Sequence, residues 1–147
     1  MDKVLILSQE RFEIILPKID EFKDTFFISI LDPGDQDLLE PRYNYRTWKF
    51  YDIEQDISSY KGISFDQARE IFEFIKSHED KNLIVHCHAG VARSGAIGEF
   101  YWEMLGGGYK ELTEKFPYIM PNARVLQYLR VIEKSDIKTE FDKMFIN

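Results

Sequence analysis

Leu83-Ile84-Val85-His86-Cys87-His88-Ala89-Gly90-Val91-Ala92-Arg93-Ser94-Gly95-Ala96-Ile97-Gly98 changes character twice. An apolar run ends on the chain's single cysteine, Cys87. A loop of small residues follows, then Arg93 and Ser94, and then apolar residues at helical spacing. A buried strand that feeds a loop and a helix N-terminus is the repeating unit of α/β layer structures, so this stretch decides the fold. In such sheets ligands bind beyond the carboxyl ends of the strands, and Cys87 stands at one such end.

Outward from this stretch, Val4–Ser8, 26–30 and 83–87 read as short strands buried on both faces. The aromatic-rich segment 48–53 reads as a fourth. Ser64 opens a helix to about Ser77, with Ala68, Ile71, Phe72 and Ile75 on one face. A second helix over 94–105 carries Ala96, Ile97, Phe100, Tyr101 and Met104, and Gly106-Gly107-Gly108 stops it. Further helices are expected at 109–116, 122–134 and 136–144. Asp32-Pro33-Gly34-Asp35 and 40–44 have turn chemistry. The expected architecture is one α/β domain over 1–147, with a central, largely parallel sheet of four to five strands flanked by helices.

The 147 residues are 44% apolar and 31% charged, which excludes a disordered chain. A net charge of −7 argues against a nucleic-acid binder, yet leaves a phosphorylated substrate open, because donors in a pocket outweigh diffuse surface charge. A lone cysteine makes no intrachain disulfide, so the reducing cytoplasm is the expected compartment. The apolar run in Val4–Ser8 is too short for a signal peptide or a span, and neither Asp2 nor the ending Phe145-Ile146-Asn147 carries a lipidation motif. No membrane association is expected.

Taken singly, Cys87 reads as a small core residue, Arg93 as a surface ion-pair partner and Ser94 as a helix cap. Their joint placement reads differently. A thiol is a nucleophile only as the thiolate, and this segment has three ways to favour one. The N–H groups of His88, Ala89, Gly90, Val91, Ala92 and Arg93 can curl around an anion, the helix that follows points its positive end at the same spot, and Arg93 adds a planar cation. These donors also suit a phosphoryl transition state. Ser94 can donate to the departing thiolate, and His86 can fix the loop through its ring N–H. A metal site fails on geometry, because His86, Cys87 and His88 are consecutive and strand neighbours point to opposite faces. His78, in a polar helix end, is expected to face solvent.

The pattern His86-Cys87-x5-Arg93-Ser94 resembles the signature loop of the cysteine-dependent protein tyrosine phosphatases, and the chain resembles their compact dual-specificity-type branch. The resemblance is strongest over 83–98. It implies a phosphomonoester hydrolase with Cys87 as nucleophile, a cysteinyl-phosphate intermediate, no cofactor and no metal. It further implies a general acid on a loop upstream: Asp52 is the best match and Asp56 the runner-up. Asn122, after Pro121, resembles an asparagine that braces the loop in this branch. A phosphorylated protein, phosphotyrosine favoured, is the implied partner, with phosphate or sulfate able to occupy the loop.

Tyr43, Tyr45, Tyr51 and Tyr118 are candidates for the pocket rim. An RNA 5′-phosphatase shares the chemistry but is disfavoured by the acidic charge. A phosphoinositide phosphatase is disfavoured because His88, Val91 and Ala92 stand where the lipid-directed loops carry lysines, although a protonated His88 still adds charge to the rim. A non-catalytic phosphoresidue-binding module is the remaining alternative, and the intact cysteine and arginine speak against it.

Overall fold

The computed structural model describes residues 3–145, so Asp2 and the terminal Ile146-Asn147, which enter the lipidation reading, lie outside the described residues. The elements are β1 (Val4–Ser8), α1 (Gln9–Ile15), a 3-10 segment (Leu16–Glu21), β2 (Thr25–Leu31), β3 (Tyr45–Lys49), α2 (Phe65–Lys76), β4 (Asn82–Cys87), α3 (Arg93–Met104), α4 (Tyr109–Lys115) and α5 (Ala123–Lys143). The sheet has four strands in the order β1-β4-β2-β3, all parallel. This is the expected α/β architecture at the lower strand count. No helix among the described residues is long and apolar enough to cross a membrane.

Alternation along the strands divides the core in two. Val4, Ile6, Phe26, Ile28, Ile30, Leu83, Val85 and Cys87 face a core shared with α2, α3 and α5. Leu7, Phe27, Tyr45 and Ile84 face a smaller one built on Phe12 and Ile19. That period of two places His86 and Cys87 on opposite faces of β4. α3 lies close against β1 because Gly98 has no Cβ: one built there would stand 2.6 Å from the Ile6 side chain. α2 is held by a capping box between Ser64 and Gln67, a device worth about 1 kcal/mol.

Four expectations need correction. The strand expected at 48–53 runs Tyr45–Lys49, because its partner β2 ends before the Asp32-Pro33 turn: Phe50 N still reaches Leu31 O (3.1 Å), and Tyr51 N turns away to Lys61 O (2.9 Å). The helices expected at 122–134 and 136–144 are one, α5, since the small polar residues Ser135 and Asp136 lower helix propensity without breaking the hydrogen-bond ladder. His78 is buried: its ring stacks on Phe26 with centroids 5.2 Å apart, and its Nδ1 lies 2.8 Å from the Phe74 carbonyl. Tyr45 is fully buried in the smaller core and takes no part in a rim. The segment 9–21, for which no element was expected, forms α1, capped by the Ser8 hydroxyl, and a 3-10 turn opened by Pro17.

Candidate active site

The carboxyl ends of β1, β2, β3 and β4 converge on the loop that follows Cys87. Gly90 has φ +72°, and a Cβ on it would lie 2.5 Å from the Ser8 backbone nitrogen, so only glycine lets the loop rest on the β1–α1 junction. The loop carbonyls are turned outward: His88 accepts from Gln9 N (3.1 Å), Val91 from Met120 N (3.0 Å) and Ala92 from Asn122 N (3.0 Å). The N–H groups of 88–92 have no acceptor among the described residues. α3 starts directly behind them, and Ala92 at its N-cap has no side chain to satisfy the helix's first donors. The result is a cup of N–H groups at the positive end of a helix.

Cys87 sits at the base of this cup, 2% exposed, with its Sγ 3.0 Å from the Ser94 hydroxyl. Arg93 is buried beside it. Its Nη1 donates to Asp32 Oδ1 (2.7 Å) and to the Phe50 carbonyl (2.8 Å), while its buried Nε has no partner. A buried guanidinium that keeps an N–H free has a donor in hand for an anion. Asp32, the residue after β2, compensates the buried charge and orients it. Two substitutions separate these roles. Asp32→Asn keeps an oxygen for Nη1 but removes a negative charge, so the affinity for an inorganic phosphate dianion should rise. Asp32→Ala takes away one of the two acceptors of Nη1 and leaves the Phe50 carbonyl, so its phosphate affinity should be about tenfold below that of Asp32→Asn. Identical phosphate affinities in both variants and wild type, measured by calorimetry, would deny the pair any role.

His86 lies behind the loop, fully buried and stacked on Phe12 with centroids 4.2 Å apart. Its Nδ1 donates to the Cys87 carbonyl (3.4 Å), since a carbonyl can only accept. Nε2 of the neutral ring then accepts from the Ser29 hydroxyl at 2.5 Å. Burial above all, with Arg93 nearby, pushes its pKa down from 6.5 to about 4. The unfolded chain therefore takes up a proton at this residue that the folded one refuses. This histidine leaves stability intact above about pH 6.5 and costs about 3 kcal/mol as the pH falls to about 4. In an NMR titration the His86 ring signals should stay those of neutral imidazole at pH values where an exposed histidine is already protonated. A midpoint near 6.5 would overturn this.

Across the cup, the loop between β3 and α2 is fastened to the start of α5 by three alternate acids. Asp52 Oδ1 accepts from Asn122 Nδ2 (2.8 Å), Glu54 Oε1 from Ala123 N (3.2 Å) and Asp56 Oδ1 from Arg124 Nη1 (2.8 Å). Asn122 ties both sides together, because its backbone N bonds to Ala92 and its side chain to Asp52. The Arg124 guanidinium, with the Gly62 N–H, holds the Asp56 carboxyl below the usual range. Asp52 and Arg93 border one cavity of about 330 Å³, with Asp32, Tyr51, Ile53, Ile57 and Tyr60 as its other walls.

The chain matches no protein-family model and no curated protein by sequence. Solved structures do match. DUSP15 is 16% identical with a TM-score of 0.62, over 99% of this chain and 94% of that one. Human DUSP28 is 10% identical with a TM-score of 0.62, over 92% and 96%. Human tyrosine phosphatase-like serine/threonine/tyrosine-interacting protein is 18% identical with a TM-score of 0.57, over 93% and 95%. The chain has the dual-specificity phosphatase fold.

On this phosphatase fold, Cys87, Arg93, Ser94 and the loop 88–92 come together, with His86 beneath them and Asn122 at the side. Asp52 faces the cavity and Asp56 is engaged by Arg124. His88 is exposed, beside Glu10 and Glu13 of α1. Of the remaining rim candidates, Tyr51 lines the cavity, while Tyr118 and Tyr43 do not. Sequence reasoning missed Asp32, Ile57, Tyr60 and Arg124. The turn Asp32-Pro33-Gly34-Asp35 was legible and is closed by an Asp35 N to Asp32 O bond of 3.0 Å, but nothing local ties Asp32 to Arg93.

Proposed function

We propose that the chain is a phosphomonoester hydrolase, a protein-tyrosine or dual-specificity phosphatase that works through a cysteinyl phosphate. Cys87 Sγ attacks phosphorus and the P–S bond forms as the ester P–O bond breaks. The leaving oxygen takes a proton from Asp52. The loop amides and Arg93 carry the charge on the equatorial oxygens. Water then attacks phosphorus as its proton passes to the Asp52 carboxylate, the P–S bond breaks and inorganic phosphate leaves, and the Ser94 hydroxyl donates a hydrogen bond to the departing thiolate. The observation that carries the reading is the contact of Cys87 Sγ with the Ser94 hydroxyl at the base of a donor cup beside the unpartnered Arg93 Nε.

Asp52 is preferred to Asp56 as the acid. Asp56 is tied to Arg124 and does not border the cavity that Arg93 borders, whereas Asp52 does. Phosphotyrosine is the favoured substrate because a thiol only 2% exposed is reached more easily by the long tyrosyl ester than by a short seryl one. A structure of this fold, PTPMT1, is in complex with PI(5)P, at 12% identity and a TM-score of 0.53. The loop here offers His88, Val91 and Ala92 in place of lysines, which favours a protein substrate over an inositol lipid. The test is hydrolysis of an aryl phosphate with a metal chelator present, and its loss on replacing Cys87.

A further inference from the structure

The cavity that Asp52 and Arg93 border has one wall unlike the others. Residues 57–60 form a two-residue hairpin: Ile57 N donates to Tyr60 O (3.0 Å) and Tyr60 N to Ile57 O (2.9 Å). Ser58 takes φ +55° to close it, a conformation uncommon for a side chain with a Cβ. The base of the loop is pinned by Tyr51 N to Lys61 O (2.9 Å), by Gly62 N to Asp56 Oδ1 (3.0 Å) and by the Asp56–Arg124 pair. A hairpin this firmly anchored still leaves Ile57 64% and Tyr60 55% exposed. Tyr60 meets the Tyr51 ring edge to face, with centroids 5.1 Å apart. Tyr51 is next in sequence to Asp52.

We infer that the Ile57–Tyr60 hairpin reads the carbon skeleton of the leaving group and makes the site selective for a flat aromatic ester. The inference rests on the phosphatase reading, because it takes Asp52 to mark where the ester oxygen departs. The skeleton bonded to that oxygen must pass beside Asp52, and the space beside Asp52 is walled by Tyr51, Ile53, Ile57 and Tyr60. A ring entering there packs against the open Tyr51–Tyr60 pair in the offset or edge-on manner that aromatic groups prefer. A short alkyl ester leaves the same wall uncovered. The loop that delivers the proton is thus also the loop that selects what receives it, and Ile57 and Tyr60 are specificity residues without a part in the chemistry.

Binding separates this inference from catalysis. Using the intact chain carrying Cys87→Ser, titration calorimetry compares a phosphotyrosyl peptide, the matching phosphoseryl peptide and inorganic phosphate. Tyr60→Ala and Ile57→Ala together should weaken the phosphotyrosyl peptide about tenfold or more, and inorganic phosphate, which is too small to reach the hairpin, no more than about twofold. Tyr60→Phe, which keeps the ring, should restore most of the affinity when Ile57 is intact. Both side chains are exposed, so these changes leave the core untouched. An equal loss for all three ligands, or none for the phosphotyrosyl peptide, overturns the inference. Selective loss with no hydrolysis by the unsubstituted chain upholds the hairpin's role and overturns the enzyme reading. A chain that binds none of the three ligands overturns both.

Discussion

Cys87→Ser should reduce metal-free hydrolysis of an aryl phosphate by about 10⁴-fold or more while phosphate binding survives. The reason lies in what surrounds the side chain. A serine hydroxyl is a useful nucleophile only when a base removes its proton, and no histidine or carboxylate is hydrogen-bonded to the Cys87 side chain among the described residues. The hydrogen-bond partner of Cys87 Sγ is the Ser94 hydroxyl at 3.0 Å, and an alcohol is too weak a base to take up a proton. His86, adjacent in sequence, projects from the opposite face of β4 and has both ring nitrogens engaged, by Ser29 and by the Cys87 carbonyl. The thiol is therefore not one member of a cysteine–histidine pair. On the proposed mechanism it acts alone, sustained by the donor cup. Affinity for inorganic phosphate should stay within about threefold of wild type, because Arg93 and the loop amides are unaltered. Residual turnover within about tenfold of wild type would sink the covalent mechanism.

The parts of this site that local chemistry specifies were legible in the sequence. The apolar run into Cys87, the small residues to Ala92 and the helical spacing after Ser94 all lie within one stretch, and each obeys a short-range rule. Ser64 with Gln67, and Asp32 with Asp35, likewise announce a cap and a turn. The errors have tertiary causes. His78 looks solvent-facing in its polar neighbourhood, but Phe26, from a distant strand, supplies a stacking surface that outweighs it. The end of β3 is set by where β2 runs out, which the aromatic pattern of 48–53 does not record. Asp32 and Arg93 are 61 residues apart, and Asp56 and Arg124 are 68 apart. Nothing in one sequence couples such pairs. The choice between Asp52 and Asp56 was open for that reason, since their difference is the arginine that one of them meets.

That difference yields the second large effect. Asp52→Asn should lower kcat for a phosphotyrosyl substrate about 10²- to 10³-fold and change KM little. The asparagine is isosteric and keeps an oxygen for Asn122 Nδ2, so the loop should hold its place. What is lost is the proton. The loss in kcat should shrink as the leaving phenol becomes more acidic, since a good leaving group departs unprotonated. Asp56→Asn makes the opposing case. Asp56 is anchored by Arg124 and the Gly62 N–H, so its replacement loosens the loop but leaves the dependence on the leaving phenol as in the wild type. If Asp56→Asn steepens that dependence while Asp52→Asn leaves it unchanged, the acid has been placed on the wrong carboxylate, and Arg124 must release Asp56 before each turnover. The leaving-group dependence of the two variants, measured side by side, decides between a fixed acid and a latched one.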